Sequence, residues 1–174
     1  MSHKIVVVRK RKQASSPRAP SVFTIAHVAV DSLKPHPRNY RAHPEDQLQH
    51  VKASIQEHGF YRNIVATRDG IILAGHAAVQ AARELGYERV PAYVVDLSAD
   101  DPRALKILAG DNEIAHLGEI DTLALAEILK EIKLIDDNGE LLGTGFDEAM
   151  LANLVFVSRP ESEIKNFDAA AEWV

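Results

Sequence analysis

Apolar and polar positions alternate along the first hundred residues and fall at helical spacing along the last seventy. Residues 22–30 alternate loosely and are rich in β-branched side chains, which predicts a strand. Residues 34–44 carry Pro35, Pro37 and Pro44 and read as a loop. Residues 45–58 place Leu48, Val51 and Ile55 on one helical face, with Gly59 where a helix-terminating glycine belongs. Residues 63–67 and 71–74 form two short strands around Arg68-Asp69-Gly70, a tight-turn signal. Gly75 then separates a strand from an alanine-rich helix over 76–85, which Gly86 stops. Residues 90–95 are apolar nearly throughout, the pattern of a strand covered on both faces. Helices follow at about 102–117, 121–134 and 147–156, with Asp121 and Asp147 as N-caps and a polar loop over 136–145. The prediction is an α+β body, a mixed sheet with flanking helices, followed by a helical appendage.

Composition narrows the chemistry. The 174 residues contain no cysteine, which excludes disulfides, a thiol nucleophile and cysteine-ligated metals. No apolar run approaches the roughly 18 residues of a membrane span. A short apolar patch over 5–8 precedes the basic cluster, the reverse of a secretory signal, so a cytoplasmic location is expected. The net charge of −5 conceals a division: residues 1–20 hold six basic residues and no acidic one. Arg9, Lys10, Arg11, Lys12 and Arg18 therefore make a basic arm that is either a salt-sensitive, sequence-blind contact to DNA phosphates or a solubilising tail. Trp173, next to last, either docks on the body or marks the cut end of a longer chain.

The most visible chemistry is a phosphate cradle. Residues 71–80 read strand, glycine, helix, so the N–H groups of His76, Ala77 and Ala78 are expected to be free at the positive end of the helix dipole, with Gly75 admitting close approach. Close packing of small residues explains the same pattern. The eight histidines lack zinc spacing and read mostly as solvated. The 121–134 helix has a broad apolar face (Leu123, Leu125, Ile128, Leu129, Ile132), either core or a dimer seam.

Five boxes in order resemble the N-terminal domain of the ParB/sulfiredoxin superfamily, often labelled ParB-like nuclease domains. They are Leu33-Lys-Pro-His-Pro-Arg-Asn-Tyr-Arg41; a helix from Leu48 ending Ser54-Ile-x-x-His-Gly59; Gly59-Phe-Tyr-Arg-Asn-Ile-Val65; Leu73-Ala-Gly-His76 with Ala81-Ala-Arg-Glu-Leu-Gly86 and Val90-Pro91; and Asp111-Asn112. Thr144-Gly-Phe-Asp147 resembles a tail of phage and methyltransferase-associated members. The resemblance covers about 28–117; with the charge and element patterns, the expected division is a basic arm at 1–21, a domain of this family's type at 22–117, a helical appendage at 118–158 and a tail at 159–174. The resemblance implies a nucleoside-triphosphate pocket, of the CTP type or for ATP, used with magnesium. Gly75, His76, Ala77 and Ala78 would meet phosphates, with charge from Arg38 or Arg41. Gly59, Tyr61 and Arg62 would line the base end, and Asp111 and Asn112 would orient the metal or a phosphate.

The departures make that pocket degenerate. Partition proteins of the family carry Gly-Glu-Arg-Arg where this chain has Gly75-His-Ala-Ala78. Two charge-assisted contacts of about 1.5–3 kcal/mol each are missing, a hundredfold or more in affinity. Arg83, two turns on, faces elsewhere. Without cysteine at position 76 the reductase chemistry of sulfiredoxin-like members is excluded, and the first box has no acid for a kinase. His76 is either a general acid or base near pH 7, or it caps its helix or hydrogen-bonds a backbone carbonyl. The expected function is a DNA-associated, nucleotide-binding module, phage or mobile-element encoded and able to form a homodimer. Alternatives are a metal-dependent nuclease or nucleotide hydrolase using Asp111, and an assembly protein that has lost the ligand.

Overall fold

The computed structural model describes residues 24–135 and 140–158. Its elements are β1 (Thr24–Ala29), a 3-10 turn (Val30–Ser32), β2 (Lys34–Pro35), α1 (Glu45–His58), β3 (Val65–Thr67), β4 (Ile71–Ala74), α2 (His76–Glu84), β5 (Arg89–Val95), α3 (Pro102–His116), α4 (Thr122–Ile135) and α5 (Glu148–Val157). The basic arm and Trp173 lie outside the described residues.

The five strands form one mixed sheet in the order β1-β5-β3-β4-β2. β1 runs antiparallel to β5, with Thr24 opposite Val94 and Ala29 opposite Arg89. β3 is parallel to β5 and antiparallel to β4, and β2 is parallel to β4. The expected 63–67 strand begins only at Val65, and β2 lies inside the expected proline loop. A two-residue strand is too short to show periodicity, and as an edge strand β2 tolerates Pro35.

Both faces of the sheet are covered, as period-two alternation shows. Ile72, Ala66, Val90 and Ala92 point into one core with Val30, Leu33, Ile64, Val79 and Ala82. Their neighbours Leu73, Val65 and Val95 point to the other face and meet Ala104 and Ile107 of α3. This is why β5 is apolar nearly throughout from Val90 on: its two faces serve two cores. Ala81 and Ala82 are fully buried, so the small-residue side of α2 lies close on the sheet.

α4 and α5 build a third core from Leu129, Leu141 and Leu151, flanked by Leu125, Ile132 and Phe146. The broad apolar face expected for α4 is only partly used: Leu123 and Ile128 stay more than half exposed. Asp121 and Asp147 cap as expected, accepting from the amides of Ala124 (3.0 Å) and Met150 (2.7 Å). No helix among the described residues is long and apolar enough to cross a membrane.

Candidate functional site

Strand direction concentrates the expected site at one edge of the sheet. Residues after β4 emerge there, and residues before the antiparallel β3 emerge beside them. β2, parallel to β4, sends the 36–43 loop toward the same edge. β5 ends at the opposite edge, but α3 packs back across Leu73 and is about 22 Å long, so its C-terminal half returns to the site. The result is a cleft of about 470 Å³ lined by Arg41, His43, Tyr61, Arg62, Gly75 to Ala78, Asp111 and Asn112, among others. That volume falls within the roughly 300–1,000 Å³ of small-molecule sites.

The α2 N-terminus forms the backbone side of this cleft. Gly75 is its N-cap at φ 82°, and no side chain caps the helix. The first bond of the ladder runs from Val79 N–H to the Gly75 carbonyl (3.0 Å). The amides of His76, Ala77 and Ala78 thus stand outside the ladder at the positive end of the dipole. Gly75 has a second role: a Cβ there would lie 3.0 Å from the Asn63 carbonyl oxygen and 3.1–3.2 Å from Ile64. The close approach that requires glycine is therefore to the chain's own backbone.

The His76 side chain is partly buried at the start of α2. Its Nε2 accepts a long hydrogen bond from the His36 amide (3.4 Å). Burial, aided by His43 and His36, lowers its pKa from 6.5 to about 4. The ring neither caps α2 nor bonds a backbone carbonyl, the two structural roles expected for it; its partner is a backbone amide. His36, read as solvated, is 3 % exposed. Its Nδ1 accepts from the Arg38 amide (3.0 Å) and its Nε2 bonds the Ala99 carbonyl (3.2 Å), which fixes the first loop over the sheet.

Two arginines from other elements bring positive charge to a cleft whose collar turn, at the start of α2, has none. Arg41 pairs with Glu113 of α3 and lies over the Tyr40 ring at 5.6 Å. Tyr40 in turn donates to the Ala109 carbonyl (3.2 Å), tying the loop to α3. Arg62 stacks on Tyr61 at 5.9 Å. Among the described residues Asp111 is the only carboxylate lining the cleft, and burial raises its pKa against the opposing pull of Arg41 and Arg62. Asp111 and Asn112 offer hard oxygen donors that suit magnesium shared with phosphate oxygens. Among the described residues, no group of three histidine or acidic side chains is placed to hold a metal by itself.

Arg38 does not line the cleft; its amide serves to hold His36. Gly59 lies instead in an adjoining recess of about 160 Å³, which shares Tyr61, Arg62 and Ala78 with the cleft and is closed by Gly143 to Gly145. Arg83 faces away, donating to the Val30 and Leu33 carbonyls (both 3.2 Å). His43 lines the cleft and was missed among eight scattered histidines; its only sequence signal is its place two residues beyond Arg41, where the first box ends.

Comparison with known proteins bears on the family and the fold. ParB-like nuclease domain-containing protein YnaK of Escherichia coli (strain K12) is 29% identical over 79 residues, covering 45% of this chain and 91% of that protein. The C-terminally truncated chromosome-partitioning protein ParB from Caulobacter crescentus, complexed with CTP-γ-S, superposes with a TM-score of 0.61 at 21% identity over 86% of each chain. Residues 12–112, more than half of the sequence, match the family model described as the ParB N-terminal domain, and this chain belongs to that family.

Proposed function

We propose that the protein is a DNA-associated binding module whose cleft takes a nucleoside triphosphate of the CTP type. One observation carries the reading: the free amides of His76 to Ala78, the guanidinium groups of Arg41 and Arg62, and the Asp111-Asn112 pair line one cleft. Amides at a helix start complement phosphate oxygens, and guanidinium groups add charge-assisted bonds. The CTP-γ-S complex of the Caulobacter protein, of the same fold, supports the ligand class. Asp111 and Asn112 hold magnesium in this reading, and the ion when bound neutralises phosphate charge. The aromatic recess at Gly59 and Tyr61 takes the base.

Affinity is weak by family standards, because no arginine stands in the first turn of the collar helix. Arg9 to Lys12 and Arg18 hold DNA phosphates without sequence preference, and the −11 of the remaining chain keeps the body off the duplex. The division into arm 1–21, domain 22–117, appendage 118–158 and tail 159–174 is part of this proposal, as are a cytoplasmic, phage or mobile-element setting and a homodimer.

The test is calorimetric titration of the full chain with CTP and ATP, each with magnesium and with EDTA. CTP binding that weakens in EDTA is expected. Arg62→Ala is expected to weaken it about tenfold or more, the loss of one charge-assisted bond. Failure of every triphosphate to bind overturns the reading. DNA retention across a salt series, with and without residues 1–20, tests the arm; a signal indifferent to both salt and truncation overturns that role.

A further inference from the structure

A second groove, of about 800 Å³, runs between α1 and α4 and shares only Tyr61 with the cleft. Ile128, Ile132 and Ile135 fall at i, i+4 and i+7 and form an apolar stripe along its α4 wall, to which Leu142 adds. Ile132 also packs against the third core, but Ile128, Ile135 and Leu142 are 55, 72 and 47 % exposed. This is the part of the broad α4 face that the core leaves unused. The charge of the groove has one sign. Glu57 of α1 and Glu131 of α4 line it, and among the described residues no lysine or arginine does. The histidine in its lining, His58, has Nδ1 3.8 Å from the Glu57 carboxylate.

An apolar stripe between carboxylates selects an occupant that is both apolar and basic. The chain carries such a segment outside the described residues. Lys4-Ile-Val-Val-Val-Arg-Lys-Arg-Lys12 sets four β-branched residues directly before four cations. The segment at the other end, 159–174, has four acidic residues against two basic ones and is repelled by the same groove. Length permits the contact. The 16 residues from Val8 to Thr24, where β1 begins, span up to about 50 Å when extended. The radius of gyration for a chain of the described length is about 14 Å. We infer that this groove docks the chain's own segment 4–12, with Ile5 to Val8 on Ile128, Ile135 and Leu142 and with Arg9 to Lys12 against Glu57 and Glu131. The docking stands without the DNA reading of the arm. Where that reading also holds, the groove and the duplex compete for the same four cations.

The experiment uses the absence of cysteine. Ser2→Cys in the full chain carries one nitroxide spin label beside the segment, and amide broadening is read by NMR on the isotope-labelled protein. Selective broadening at Glu57, His58, Ile128 and Glu131 is expected. Glu57→Lys with Glu131→Lys is expected to abolish it. The same reversal at Glu88 and Glu119, exposed and off the groove, is expected to leave it intact. Reversal of Arg9, Lys10, Arg11 and Lys12 to glutamate in the Glu57→Lys, Glu131→Lys chain is expected to restore it, which also shows that the reversed groove folds. No broadening at the groove, or broadening that survives the Glu57 and Glu131 reversal, overturns the inference. So does broadening of an isotope-labelled chain by a separate spin-labelled one to the same extent, which makes the occupant a second copy's arm. Loss of the broadening on titration with a DNA duplex supports the competition. Broadening unchanged by a duplex that binds the chain through its arm overturns the competition. Groove broadening with no duplex binding supports the docking and removes the DNA role of the arm.

Discussion

Substitution of Gly75 separates two explanations of the strand–glycine–helix turn, and the structure gives its magnitude. Gly75→Ala puts a Cβ on a residue at φ 82°, where an L-residue is disfavoured by about 1–2 kcal/mol. The same Cβ meets the Asn63 carbonyl at 3.0 Å and Ile64 at 3.1–3.2 Å. Relieving such contacts in a packed interior costs a further 1–3 kcal/mol or so. The total, about 2–5 kcal/mol, is a large part of the roughly 5–15 kcal/mol that holds a domain together. Gly86→Ala is the internal control: φ is 78°, and its Cβ meets nothing within 4 Å, so only the conformational penalty of about 1–2 kcal/mol applies. Urea unfolding of both variants, followed by circular dichroism without ligand, should show Gly75→Ala the less stable by about 1–3 kcal/mol. Equal midpoints would refute the argument that β3 backbone, and not only a ligand, demands glycine at this turn. If the difference appears, loss of binding in any Gly75 variant cannot be assigned to a lost phosphate contact, which is why Arg62 carries the binding test.

Three further outcomes are expected. His76 is neutral in the fold with its pKa lowered from 6.5 to about 4, so the unfolded chain takes up a proton first as pH falls. Stability should therefore drop by about 1–3 kcal/mol between pH 6.5 and 4, half-burial screening part of the full effect, and His76→Gln should flatten that slope in denaturant titrations. Arg83→Ala strips the Val30 and Leu33 carbonyls of a shared donor and should cost about 1–3 kcal/mol while leaving CTP affinity unchanged; a selective loss of affinity would return Arg83 to the phosphate site. His50 Nδ1 accepts from the amides of Gly143 (3.1 Å) and Gly145 (3.2 Å), so His50→Ala should speed hydrogen exchange at those two amides and leave protection of β3 and β5 intact.

Local signals settled a good deal. The caps Asp121 and Asp147, the Asp69-Gly70 turn and the spacing of Leu48 and Ile55 act within a few residues, and each behaves as its chemistry requires. The amide collar was legible for the same reason, since a helix start orphans its amides whatever surrounds it. The ordered boxes carried the family. What the chain could not disclose was set by contacts between distant segments. His36 is buried because its ring bridges to Ala99, 63 positions away, while His43 is oriented by the nearby Gln47 and brought to the collar only by the fold. Arg41 and Arg62 meet one cleft because β3 and β4 run antiparallel and β2 runs with β4. Arg38, three residues from Arg41, is excluded because its amide braces a histidine instead. Composition and periodicity fix which residues form an element and which face they present; strand direction and loop closure decide which of those faces share a cavity, because that choice depends on pairings between residues the chain holds far apart.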